Sequence, residues 1–282
     1  MMVIKVKSRL VLFMFSIITF IVVSIFIIDF YSEQTIQDKR SFANANSQKN
    51  KEQKQKANVE VMSGYSSVYP TTTCESQNNK NWIAIDRKDN YNEELQYYCK
   101  QNVEFDNGGI VLYARKENKQ DRKYTSGQAE TTAAYLYGKF EFTIKINEGN
   151  GLFPAIWMLP LEDKEFPEID IFEMIGSNPQ NFYGVIHFEQ KSALKRDYFC
   201  YRVKPSQTYH IGFNWSKDAL EWFIDGKSVY KTKKYVPQDY MYLIVNLAVG
   251  GTWPGNPDEN TVFPAKFEIV SFSIKPENEV QR

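Results

Sequence analysis

The stretch Gly138-Lys-Phe-Glu-Phe-Thr-Ile-Lys-Ile146 places an apolar side chain at every second position. A period of two is that of a β-strand with one buried face. Gly109-Ile-Val-Leu-Tyr-Ala-Arg115 and Ala219-Leu-Glu-Trp-Phe-Ile224 alternate in the same way or nearly so, and all three are rich in β-branched and aromatic residues. Turn signals lie between such runs: Asp106-Asn-Gly-Gly109, Asn147-Glu-Gly-Asn-Gly151, and Asp225-Gly226, a dipeptide suited to a two-residue hairpin. Beyond residue 60 no stretch shows a long helical period, and no internal repeat is visible. Many short strands with frequent turns predict an all-β sandwich or barrel of about 200 residues.

Composition agrees with one large core. Of 282 residues, 43% are hydrophobic and 15% aromatic, which excludes a disordered chain. Lys plus Arg and Asp plus Glu number 34 each, so the chain lacks the basic excess that phosphate binding requires, and no nucleic-acid partner is expected. Two histidines far apart leave little for a zinc site, and three cysteines are too few for a disulfide scaffold.

The first seventy residues are of another kind. Residues 1–9 carry Lys5, Lys7 and Arg9, and residues 10–28 are apolar without a charge. Nineteen residues of helix would span about 28 Å, close to a bilayer core of ~30 Å. The run ends in bulky residues, Ile25-Phe-Ile-Ile-Asp-Phe-Tyr31, and the first small-residue cleavage pattern, Ala43-Asn-Ala45, lies well beyond it. It reads as an uncleaved signal anchor with residues 1–9 a cytoplasmic flank. A cleaved, secreted form and a buried core helix are the other readings. Residues 29–70 are polar, without an apolar face to bury, and read as a linker. Residues 71–282 then form one domain on the extracytoplasmic side. There Cys74, Cys99 and Cys200 would meet an oxidising environment, and one disulfide with one free thiol is the simplest arithmetic, in any of three pairings.

The segment that carries chemistry is Pro167-Glu-Ile-Asp-Ile-Phe-Glu-Met174. In a strand Glu168 and Asp170 share one face, and Ile169 and Ile171 point into the opposite, apolar layer. Glu173 falls on the wrong face unless one extra residue, a β-bulge near Ile171-Phe172, returns it beside the other two. Three acids so close repel when ionised, so at least one should hold its proton more tightly. Glycoside hydrolysis uses such a pair: one carboxylate attacks and the other donates a proton. A solvated acidic face and a calcium site are the competing readings. Neighbouring aromatics, Phe153, Trp157, Phe166, Phe182, Tyr183, Phe188 and Trp253, favour a carbohydrate cleft, because sugar rings stack their apolar faces on aromatic planes.

These residues carry a family resemblance. Glu168-Ile-Asp-Ile-Phe-Glu173 resembles the bulged active-site signature of glycoside hydrolase family 16, as found in laminarinases and related endo-β-glucanases. Asn92–Tyr98, Tyr124–Gly127, Tyr137–Glu141, Gly151–Pro160 and Asn246–Gly255 resemble further family segments, in order, over about residues 80–275. The resemblance implies a jelly-roll β-sandwich of two antiparallel sheets whose concave face binds polysaccharide. It implies Glu168 as nucleophile, Glu173 as general acid/base and Asp170 as the group between them. Trp157, His187, Asn246 and Trp253 fall at cleft positions that contact sugars, although His187 suits a structural role as well. Three departures stand out. The family's opening Asp-Glu-Phe is absent before Trp82. Val270 stands where its closing strand often has a calcium-ligating Asp, so a structural calcium is doubtful. The stretch between His187 and His210 is short.

The expectation is therefore a membrane-tethered, monomeric, retaining endo-glycosidase acting on β-1,3- or mixed β-1,3-1,4-glucan, without a cofactor or catalytic metal. The alternatives are a transglycosylase, a hydrolase of another polysaccharide such as a galactan or exopolysaccharide, and a non-catalytic carbohydrate-binding surface protein.

Overall fold

The computed structural model describes residues 81–282, apart from Asp89, Asn107 and Asp163. The expected flank, anchor and linker, and Cys74, lie outside the described residues. Among those described, no helix is long and apolar enough to cross a membrane.

The described residues are built into strands, with a single turn of 3₁₀-helix among them at Lys100–Asn102. The early strands are β1 (Trp82–Ala84), β2 (Gln96–Tyr98), β3 (Val103–Asp106), β4 (Gly109–Ala114), β5 (Tyr124–Ser126) and β6 (Gln128–Ile146). The middle ones are β7 (Leu152–Pro160), β8 (Glu168–Met174), β9 (Asn181–Gln190) and β10 (Ala193–Arg202). The last are β11 (Tyr209–Ser216), β12 (Ala219–Ile224), β13 (Lys227–Thr232), β14 (Met241–Val249) and β15 (Ala265–Gln281).

Two layers face one another in a jelly-roll-like sandwich. One runs β10-β9-β8-β7-β14 and ends on the first half of β6; the other continues from the second half of β6 through β11-β12-β13, with β15, β4 and β3 on the far side of β6. The sandwich of antiparallel layers is as expected, with two refinements. Thirteen strands belong to one continuous hydrogen-bonded sheet, because β6 belongs to both layers. Its 19 residues are too many for one layer, and it bends at Tyr137-Gly138, where φ is 62° and 144°. The bend falls between its pairing with β14, which ends at Tyr135, and its pairing with β11, which begins at Gly138. In addition β2 and β5 form a short parallel pair.

Turn chemistry follows the sequence. Asp225 and Gly226 both take positive φ, 49° and 77°, and close the β12–β13 hairpin. Lys191 and Ser192 do the same between β9 and β10, at 53° and 59°, which is why the stretch after His187 is short. The alternating apolar residues Phe140, Phe142 and Ile144 are buried as expected. The interlayer core is strongly aromatic: Phe172 of β8 lies over Phe267 of β15 (6.0 Å between ring centroids) and Phe182 of β9 meets Tyr209 of β11 edge-on (4.8 Å). Full burial of such a side chain contributes about 1.5–3 kcal/mol, so these contacts fix β8 and β9 firmly on the layer beneath. Val270 sits at the bulge in β15 between Ile269 and Ser271 and is exposed.

Candidate active site

Strand β8 carries the expected bulge. On one side Ala155 pairs with Glu173 and Trp157 with Asp170; on the other, Val185 pairs with Asp170 and Tyr183 with Glu173. Ile171 and Phe172 thus stand together opposite Gly184, and both belong to the core. The extra residue restores Glu173 to the face of Glu168 and Asp170, while Ile169, Ile171, Phe172 and Met174 stay buried.

Gly184 makes this geometry possible. A Cβ there would lie 2.7 Å from Trp222 Nε1 and would overlap the Phe199 ring. Without one, the Trp222 indole of the opposite layer comes up beneath the bulge, and its Nε1–H donates to the backbone carbonyl of Asp170 (3.3 Å). The irregular backbone is held from below.

The acidic groups meet one of the two histidines. His187 of β9 pairs with Glu168, and its Nε2 lies 3.3 Å from Asp170 Oδ2 and 3.8 Å from Glu168 Oε1. Asp170 is only 3% exposed, whereas Glu168, Glu173 and His187 are half-buried and reach the cleft. Among the described residues Glu168, Asp170 and His187 are the one group of acidic and imidazole side chains close enough to share a ligand, with contact atoms within 4.8 Å of one another. The imidazole makes it unlike the all-oxygen shell of a calcium site. An indentation of ≈ 710 Å³ beside Gly212, Phe223 and His210 lies on the outer face of the other layer, away from these groups. Chemistry locates the site.

Trp157 stands beside Asp170 on β7. Its Nε1–H donates to Asn246 Oδ1 (2.7 Å), Asn246 Nδ2 donates to the Tyr98 hydroxyl (3.0 Å), and that hydroxyl faces Glu94 Oε2 (3.5 Å). Gln96 closes the chain, donating to Glu94 (2.7 Å) and accepting from the Val249 N–H (2.8 Å). Burial first, and the nearby Glu94 second, push the Tyr98 hydroxyl well above the usual tyrosine range, so it stays protonated. Asn246 is buried and its amide engages protein groups; it acts on the cleft by fixing the Trp157 ring. Trp253 is 47% exposed and meets Phe153 (5.4 Å) and Tyr183 (4.9 Å) edge-on, above the Glu173 end of the cleft. Of the other aromatics named from the sequence, Phe182 and Phe188 turn into the core, because alternation along β9 sends them away from His187 and Tyr183.

The model for glycosyl hydrolases of family 16 matches residues 90–268, which include all of these groups. The chain belongs to that family. As a family 16 protein it is a glycoside hydrolase. It is 32% identical over 209 residues to a beta-glucanase of Rhodothermus marinus, covering 63% of this chain and 72% of that protein. It is 31% identical over 206 residues to a glucan endo-1,3-beta-glucosidase of Cryptopygus antarcticus, covering 60% and 76%. Among solved structures it resembles the laminarinase catalytic domain of Thermotoga maritima, with a TM-score of 0.63 and 29% identity over 72% of this chain and 96% of that one. The endo-beta-1,3-glucanase of Pyrococcus furiosus gives 0.62 and 28% over 73% and 90%.

The network behind Trp157 is not legible along the chain, since the Glu94–Tyr98 segment, Trp157 and Asn246 are far apart in sequence. The available signal was the density of polar residues in Asn92–Tyr98, a segment otherwise headed for the interior. Cys99 is buried and Cys200 is exposed, and both are free thiols, so the pairing of these two is excluded.

Proposed function

We propose that this domain cleaves β-linked glucan, β-1,3 or mixed β-1,3-1,4, within the chain and with retention of anomeric configuration. The observation that carries the reading is the bulge at Ile171-Phe172, which sets Glu168 and Glu173 on one face of one strand. Glu168 is the nucleophile. Its carboxylate attacks the anomeric carbon while Glu173 gives a proton to the departing glycosidic oxygen. The C–O bond breaks and a glycosyl ester forms on Glu168. Glu173, now a carboxylate, takes a proton from water, and the resulting hydroxide displaces Glu168 from the same carbon. Asp170, between them in the strand and 3.3 Å from His187, holds the local charge and the orientation of Glu168. The glucan specificity rests on similarity to the relatives named above. Residues 10–28 anchor the domain in the membrane, with residues 71–282 outside the cytoplasm.

Reducing ends released from β-1,3-, mixed-linkage and β-1,4-glucans and from galactans test the substrate. Activity on the first two, abolished in Glu168→Gln, supports the proposal; activity on galactan alone refutes it. Fractionation tests the anchor: intact domain found free in the medium, beginning near residue 46, would contradict it.

A further inference from the structure

We infer that Tyr198, on the edge strand β10, forms an outlying sugar subsite that takes a glucose unit beyond those at the scissile bond. This rests on the reading of the cleft as glucan-binding and extends it to a residue that neither the sequence motifs nor the catalytic geometry singles out.

Register supplies the argument. Directly paired residues share a face of a sheet. Trp157 pairs with Asp170, Asp170 with Val185, and Val185 with Tyr198, so one transverse row runs from β7 through β8 and β9 to β10. A tryptophan lies one strand to one side of the carboxylate and a tyrosine two strands to the other. With strands about 4.8 Å apart, Tyr198 is roughly 10 Å from Asp170 in the backbone, the reach of one to two sugar rings. Val185, the residue between, is small enough to leave a floor over which a chain can pass.

The side chain itself is suited to the task. At 57% exposure Tyr198 is the most exposed aromatic among the described residues. A single exposed aromatic is ordinary on a protein surface; this one shares a face and a row with the acidic centre. The Arg196 guanidinium stands over its ring, 5.6 Å from the centroid. Arg196 makes no ion pair among the described residues, so its N–H groups remain available to hydroxyls of a sugar stacked on the tyrosine. The same strand face is continuous with the cleft, as Arg196 pairs with His187 and Cys200 with Tyr183. A glucan chain laid across the strands reaches this edge without leaving the sheet.

The test compares long β-1,3-glucan with the shortest oligosaccharide that the enzyme cleaves. Tyr198→Ala should raise KM for the polymer about fivefold or more relative to KM for the short substrate, with the loss in KM rather than kcat and an unchanged pH profile. Tyr198→Phe, which keeps the ring, should retain the polymer KM. Binding of the polymer to the inactive Glu168→Gln form, with and without Tyr198→Ala, gives the same comparison without turnover. An equal effect of Tyr198→Ala on long and short substrates, or none, overturns the subsite while leaving the glucan reading intact. Failure of the unaltered protein to bind or cleave any β-glucan removes both.

Discussion

Gly184→Ala probes whether the bulge is held from beneath, as the Trp222 contact implies. The added methyl would lie 2.7 Å from Trp222 Nε1 and 2.9 Å from Phe199 Cζ, both parts of rings fixed in the core. Gly184 does not occupy the left-handed region, so the effect is one of space and not of backbone strain. Overpacking of this kind costs typically 1–3 kcal/mol. Loss of the Trp222 hydrogen bond to the Asp170 carbonyl adds about 0.5–1.5 kcal/mol. A total of about 2–4 kcal/mol corresponds to a fall in melting temperature of roughly 5–15 °C for a domain of this size. Activity should fall further than stability alone explains, because the displaced indole releases the backbone between Asp170 and Glu173. Scanning calorimetry through the transition measures the first effect, and kcat taken well below it measures the second. Trp222→Phe separates them, since it removes the donor and keeps most of the volume. A Gly184→Ala protein that melts within a degree of the parent and retains its kcat would show that the Trp222 contact does not hold the bulge.

Asp170→Asn keeps the shape of the side chain and removes its carboxylate from beside Glu168 and His187; kcat should drop while the melting temperature holds, and full activity would remove Asp170 from the site. Tyr98→Phe leaves the buried Asn246 amide without its acceptor, and should cost about 1–3 kcal/mol in urea denaturation and raise KM through a looser Trp157. Tyr135, Tyr230 and Tyr242 are each pushed up to about 12, by burial first, whereas unfolded tyrosines ionise near 10. The folded state therefore binds more protons above pH 10, and the urea midpoint should fall steadily between about pH 10 and 12; a flat profile there would contradict the burial of these hydroxyls. Cys200 shares a row with Glu173 and Tyr183, so a bulky thiol reagent should inactivate the enzyme unless glucan is present, and Cys200→Ser should be resistant.

Much of this architecture is legible along the chain because it is local. Alternation in Gly138–Ile146, the Asp225-Gly226 turn and the five-residue spacing of Glu168 and Glu173 each depend on near neighbours, and the last fixes the bulge to within a residue. What is hidden depends on distant pairing. Nothing in Tyr137-Gly138 announces that β6 passes from one layer to the other, since the non-glycine positive φ at Tyr137 is imposed by the strands it must join. Aromatics close to the motif in sequence divide between core and cleft by strand parity, so Phe182 and Tyr183 part company although adjacent. Asn246 reads along the chain as a sugar contact, whereas it is buried behind Trp157, because β14 and β7 are neighbours. Tyr198 joins the cleft only through the β9–β10 register.

If Glu168 and Glu173, brought to one face by the bulge, perform the proposed double displacement, the anomer released first reveals it. Retaining enzymes hold their carboxyl groups ~5–5.5 Å apart and inverting ones ~6.5–9.5 Å, and the two arrangements release opposite anomers from the same bond. Proton NMR of the first products from a β-1,3-glucan, recorded before mutarotation, reads the outcome directly. Retention gives the β-anomer first, decaying toward the equilibrium mixture; an initial α-anomer means inversion and removes Glu168 as nucleophile.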